Sequence, residues 1–325
     1  MDKCTAIVFS GGGPRGAFQV GAMRAILENG ITPDLMVGSS IGAMNAAGLA
    51  LWGVNLDGVD HLEHVWKDVS DAQMLNPKVA QLALRIMVGH PSDATRKKIE
   101  NYLVSLGITR DLSFRKLPWG KLALISADLG TGQPIIFGEN PDDSVLEGLL
   151  TSIALPPWFV PLQKGGQMLM DGGTLTNLPI EPTLLLGATE IIALDLDDPS
   201  PIPNENPTLA QYFKQYLYAV GRRHVYLETG LAEAQGVPVC TIDFRGISST
   251  QTWDFRESEM MIRAGYERAN RMIDQWTSLA KPNYRLNKAE SVQKPVWYGA
   301  LKDLLSRPLG YTNKVRNRFE ENEEI

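Results

Sequence analysis

Three short strings carry the residue types needed to open an ester: Gly11-Gly12-Gly13-Pro14-Arg15-Gly16, Gly38-Ser39-Ser40-Ile41-Gly42 and Asp171-Gly172-Gly173. Acyl transfer requires a nucleophile, a group that takes its proton, and donors aimed at the oxygen that becomes negative. The middle string fits the Gly-x-Ser-x-Gly frame of a strand-to-helix turn so tight that its serine is strained and points outward. Only Ser40 sits at the centre of that frame, so it is the expected nucleophile, while Ser39 shapes the turn. Gly38 and Gly42 let the helix backbone pass close to the strand. Asp171 is the expected general base, and Gly172 and Gly173 clear side-chain bulk so that its carboxylate can approach Ser40. The oxyanion hole is expected in the loop Gly11, Gly12 and Gly13, joined by the N–H of Ile41, where a helix dipole also favours an anion. Pro14 has no N–H to give. Arg15, followed by Gly16, either steers an anionic head group or pins the loop through hydrogen bonds, and pinning is the expectation.

Competing chemistries must be weighed against this set. Gly11, Gly13 and Gly16 also satisfy the dinucleotide pattern Gly-x-Gly-x-x-Gly. A nucleotide site would want an acidic residue at the end of the next strand, where Gly38-Ser39-Ser40 stands instead. A histidine is the usual partner of a catalytic serine. Yet His61 and His64 lie on a polar helical stretch, His90 precedes a proline, and His224 follows Arg222-Arg223, so none is delivered after a late strand. Without a histidine, the acidic limb of the rate profile is expected below the imidazole value of about 6.5. No metal is expected: His61 and His64 lack a third ligand at suitable spacing, and Asp195, Asp197 and Asp198 read as a solvated acidic loop. Asp128 reads either as a site neighbour or as an Asx turn. Trp158, Phe159 and Val160 either line an acyl groove or belong to the core.

The elements around these strings alternate strand and helix. Thr5 to Ser10 predicts a strand, Ala17 to Asn29 a helix, Leu35 to Val37 a strand and Ile41 to Leu51 a helix. This order argues for an α/β fold with a parallel sheet and helices on both faces, the active loops lying at strand carboxyl ends. A polar helical region spans roughly 58 to 107. Further strands are predicted at Leu122 to Ala127, Pro134 to Phe137, Met168 to Met170 and Glu190 to Leu196, with a helix from Val145 to Ala154. Asp197 to Pro207 reads as a loop, followed by a helix from Thr208 to about Gln235 and another from Glu257 to Trp276. Val237 to Asp243, lacking a hairpin partner, is expected to join the main sheet.

In the same order, the three strings resemble those of the patatin-like phospholipase family. Thr151-Ser152-Ile153-Ala154-Leu155-Pro156 is similar to its Ala-Ser-x-x-x-Pro block, and Asn177-Leu178-Pro179 to its Asn-x-Pro. The resemblance runs from about Thr5 to Leu196, more loosely to about Trp276. It implies a three-layer α/β/α fold with a mainly parallel sheet, a Ser-Asp dyad, no cofactor, and phospholipase A or lysophospholipase activity on glycerolipids. Two alternatives stay open: an acyltransferase passing the acyl group to a thiol or alcohol, and a non-catalytic lipid-binding protein.

At 325 residues with 44% hydrophobic and 21% charged residues, the chain can bury a substantial core. Its net charge of -6 gives no reason to expect a nucleic-acid partner. Two cysteines, Cys4 and Cys240, are too few for a disulfide framework and argue for a reducing compartment. Met1-Asp2-Lys3 leads straight into a strand, leaving no room for a signal peptide, so a cytoplasmic protein is expected, with peripheral contact at the inner membrane surface as a further expectation. The organisation expected is a catalytic domain over 1–280 and a basic amphipathic tail over 281–325. In that tail Trp297, Leu301 and Leu305 alternate with Lys302 and Arg307, which fits either a helix docked on the catalytic domain or a surface helix for anionic membrane.

Overall fold

The computed structural model describes residues 3–71, 94–155, 159–198, 209–247 and 257–279. The strands are β1 (Thr5–Phe9), β2 (Leu35–Ser39), β3 (Leu122–Asp128), β4 (Gln133–Phe137), β5 (Leu162–Lys164), β6 (Gln167–Asp171), β7 (Glu190–Asp195) and β8 (Val239–Asp243). The helices are α1 (Gly16–Glu28), α2 (Ile41–Trp52), α3 (Leu56–Asp71), α4 (Ala94–Ser105), α5 (Val145–Ser152), α6 (Ile180–Leu185), α7 (Leu209–Ala234) and α8 (Ser258–Leu279). His90, the segment Pro156-Pro157-Trp158, residues 199–208 and the tail 281–325 lie outside the described residues.

The eight strands form one mixed sheet. Its parallel part is β3-β2-β1-β7-β8, and β4, β6 and β5 add antiparallel pairings at the β3 end. β8 joins in parallel beside β7, as its lack of a hairpin partner predicts. Alternate residues face opposite sides. Ile7, Phe9, Met36, Leu124 and Leu194 pack against the layer of α1, α2 and α8, while Ala6, Val8, Val37, Ile125 and Ala193 pack against Leu178, Ile180 and Ala232. Burial on both faces explains why these strands read as continuous apolar runs.

Two features escaped the sequence pattern. β5 is three residues long and pairs only with β6, and α6 is a six-residue helix entered through Pro179. Neither is long enough to establish a period. A third feature is the crossing of α1 and α8. A side chain on Gly21 would meet the Ile262 carbonyl, and one on Gly265 would meet the Phe18 carbonyl, so the two backbones touch there.

The edge of β3 positions the site. Leu124 and Ile125 pair with β2 on one side and β4 on the other, whereas Ser126, Ala127 and Asp128 pair with β6 and β4. β2 and β6 therefore occupy the same edge of β3 in succession. β2 runs parallel to β3 and β6 antiparallel, so their carboxyl ends advance on each other, with Ser39 opposite Ile125 and Asp171 opposite Ser126.

Candidate active site

Ser40 follows β2 as the N-cap of α2 with φ 54° and ψ −125°, and it is the one non-glycine residue with positive φ among the described residues. The strain of the elbow is thus concentrated on the serine that the frame singled out. A Cβ on Gly38 would lie 2.6 Å from the Gly42 carbonyl, and one on Gly42 would run into the Phe9 carbonyl, so the turn closes only with glycine at both positions. Ser40 is half-buried and Asp171 buried. The Ser40 hydroxyl donates to Asp171 Oδ2 at 2.7 Å, and the Gly173 N–H donates to Asp171 Oδ1 at 2.7 Å. Burial pushes the Asp171 carboxyl up to about 6, against the pull of these two donors.

Several residues hold this pair. The Ser40 N–H donates to Ser152 Oγ at 3.0 Å, and the Ser152 hydroxyl donates to the Ile125 carbonyl at 2.6 Å. The Asp171 N–H donates to the Ala154 carbonyl at 3.1 Å. The end of α5 therefore clamps both strand ends, a role that the Thr151 to Ala154 string did not reveal by itself. A Cβ on Gly172 would meet the Ile125 carbonyl and stand 2.9 Å from Ser39 Oγ. Ser39 Oγ is buried, lies beside Gly172 and has no hydrogen-bond partner among the described residues.

The glycine loop lies beside the elbow. Gly12 is exposed and Gly13, with φ 56°, is half-buried, and Ile41 opens the first turn of α2. Gly11 departs from expectation: its N–H donates to the Asn177 carbonyl at 3.1 Å and is spent within the fold, leaving no donor for an oxyanion. Gly11 instead packs against Ser40, since a Cβ there would lie 3.0 Å from Ser40 Cβ. Gly16 fits beneath Ile41 and Trp66. Arg15 pins the loop: Nε donates to the Leu196 carbonyl at 2.9 Å, Nη2 to the Phe244 carbonyl at 3.0 Å, and Nη1 pairs with Asp198 at 3.3 Å. Behind the loop a buried amide network fixes its flanks. Gln19 Nε2 donates to the Ser10 carbonyl, Asn45 Nδ2 to the Gly16 carbonyl, and Trp66 Nε1 to Asn45 Oδ1, each at 2.9 Å.

The other candidates take structural places. Asp128 accepts from the Gly130 N–H, the Thr131 hydroxyl and Gln167 Nε2, which holds it below the usual carboxylate range and ties β6 to the turn after β3. The His61 ring lies tilted against Trp52 with centroids 4.3 Å apart, and His64 Nδ1 meets the Asp60 carbonyl. His224 lies within α7. Asp195 accepts from the Asp197 N–H, and burial pushes its carboxyl up to about 6. Asp198 is engaged by Arg15. Phe159 and Val160 are half-buried.

Known proteins are similar to this chain. A family model described as patatin-like phospholipase matches residues 7–184. An uncharacterized NTE family protein of Mycobacterium tuberculosis is 28% identical over 194 residues, 60% of this chain and 30% of that protein. The lysophospholipase NTE1 of Mycosarcoma maydis is 24% identical over 85% of this chain and 15% of its own length. The mouse patatin-like phospholipase domain-containing protein 7 is 24% identical over 83% of this chain and 21% of its own. This chain thus spans less than a third of these relatives' lengths. Among solved structures, VipD of Legionella pneumophila is 16% identical with a TM-score of 0.47, covering 84% of this chain and 67% of that one. With the family model spanning more than half of its length, the chain belongs to the patatin-like phospholipase family.

Proposed function

We propose that this protein is a lipid acyl hydrolase of phospholipase A or lysophospholipase type, working through an acyl-Ser40 intermediate with Asp171 as general base. The observation that carries this is the 2.7 Å hydrogen bond from the hydroxyl of a strained, half-buried Ser40 to the buried Asp171 carboxylate. As Ser40 Oγ attacks the ester carbonyl, its proton passes to Asp171 Oδ2 and the carbonyl electrons move onto oxygen. The N–H groups of Gly12, Gly13 and Ile41 receive that oxyanion. Collapse of the tetrahedral intermediate expels the alcohol, which takes the proton from Asp171. Water, deprotonated by the same carboxylate, then cleaves the acyl-enzyme and regenerates the dyad. Each step uses groups of the chain and water alone, with no cofactor. The substrate class draws on the family and on the lysophospholipase name of one relative. Residues 1–280 would form the catalytic domain, and its lipid substrate would be met at a membrane surface; no helix among the described residues is long and apolar enough to cross a membrane.

Alkyl fluorophosphonate labelling and lysophospholipid hydrolysis test the assignment. Ser40→Ala is expected to abolish both, and Asp171→Asn to lower turnover by several orders of magnitude. Ser39→Ala, which removes a hydroxyl that makes no hydrogen bond among the described residues, is expected to stay within about threefold of wild type, well short of the loss a positioned nucleophile causes. A dead Ser39 variant beside an active Ser40 variant would reverse the frame. Preferential transfer to an added thiol or alcohol over water would reassign the chemistry to an acyltransferase.

A further inference from the structure

We propose that Glu228, on α7 and outside the three motifs, is a positioning residue for the dyad and glycine loop, acting through the strap of residues 172–179. The proposal rests on the assignment of Ser40 and Asp171 above. The strap leaves Asp171, passes Thr176 and Asn177, and enters α6 at Pro179, which supplies no side-chain cap. Glu228 Oε2, almost wholly buried, accepts from the Thr176 hydroxyl at 3.0 Å and from the Glu181 N–H at 2.9 Å. A carboxylate from a neighbouring helix thus caps α6 and seizes the strap at one residue.

The adjacent residue faces the site. Asn177 Nδ2 donates to the Gly11 carbonyl at 3.2 Å, and the Asn177 carbonyl accepts from the Gly11 N–H at 3.1 Å. Gly11 in turn touches Ser40, and Gly173, whose N–H fixes Asp171 Oδ1, leaves room for Asn177 Oδ1 and Asp171 Oδ1, which a Cβ there would approach to 2.8 and 3.0 Å. The Thr176 N–H closes the strap on the Gly172 carbonyl at 3.0 Å. Fixing Thr176 from behind therefore sets where Asn177, Gly11 and Gly173 stand around the reacting atoms. Burying a carboxylate between helices costs stability that an apolar residue there would not, and burial pushes this one up to about 7 beside the like charge of Glu181. What the carboxylate contributes in return is direction, and displacements of an ångström around a dyad change rates by up to about a hundredfold.

The test uses the full chain, a short soluble ester and fluorophosphonate labelling, at a temperature where each variant's melting curve shows it folded. Thr176→Val removes one hydroxyl and leaves the Glu181 bond in place, so it reads the strap when Glu228→Ala folds poorly. Both variants are expected to lower kcat and the labelling rate by about tenfold, with KM within about twofold. Glu228→Gln, which keeps an acceptor oxygen, is expected to recover most of the rate. The double variant Glu228→Ala with Thr176→Val should be no slower than the slower single variant, because the two losses remove the same tether. Turnover of Thr176→Val within twofold of wild type, or losses that multiply in the double variant, would overturn the proposal. Wild-type protein that labels normally at Ser40 confines such a failure to Glu228; wild-type protein that neither labels nor hydrolyses an ester sinks both ideas together.

Discussion

Asp171, the proposed base, stands in surroundings that disfavour its charged form. Its rise from 3.8 to about 6 corresponds to about 3 kcal/mol against the ionised state in the fold. The folded carboxyl gains its proton near pH 6 and the unfolded one near 3.8, so the cost is full above 6 and vanishes as the pH falls towards 4. Asp171→Asn is therefore expected to melt a few degrees higher than wild type at pH 8 while being inactive, and scanning calorimetry should show the gap closing between pH 6 and 4. A variant less stable than wild type at pH 8 would show that its hydrogen bonds outweigh its charge. The same value puts the acidic limb of activity near 6, too close to imidazole's 6.5 for the profile to exclude a histidine, so individual histidine variants must decide. Ser40 and Asp171 are legible as residue types in glycine frames. Ser152 and Glu228 are not, because a serine ending a helix and an acid on a long amphipathic helix look ordinary until the partner that each one reaches is known.

Among the elements, those with an unbroken apolar run or a helical stretch were legible: β1, β2, α1 and α2 begin and end within two residues of where those stretches place them. What the pattern could not convey is how strands from distant parts of the chain abut, because register is a property of pairs. The α1 and α8 crossing is another such case, since Gly21 and Gly265 carry no local sign that they face a neighbouring backbone. Gly265→Ala forces a methyl group into the Phe18 carbonyl and is expected to cost about 3 kcal/mol, measurable by urea unfolding. Ala264→Gly, next to it, should cost only about 1 kcal/mol, the helix-propensity difference. Equal losses at the two positions would mean that the helices separate easily.

At the scale of the molecule, the sheet extends past the segment matched by the family model, adding β7 and β8, while Met261, Ala269 and Ile273 of α8 enter the same core as β1. Three carboxyls, the buried Asp171 and Glu228 and the half-buried Asp195, are all raised, to about 6 for each aspartate and about 7 for Glu228. Each destabilises the fold when ionised, whereas Asp128 and Asp243, held low by their donors, withdraw their support only as the pH falls below 3.8. Thermal stability is therefore expected to peak between about pH 4 and 6, on the acid side of the activity optimum, which a paired melting and rate series will show. A melting maximum at pH 8 would contradict this balance. The abutting ends of β2 and β6 have a different kind of consequence. A slip of one residue between β6 and β3 would turn Asp171 to the opposite face of the sheet, so the dyad cannot exist in a partly misassembled molecule. With Ser40 as the proposed nucleophile, its reactivity becomes a census of folding: titrating a preparation with fluorophosphonate is expected to count the chains whose β6 has found its proper place.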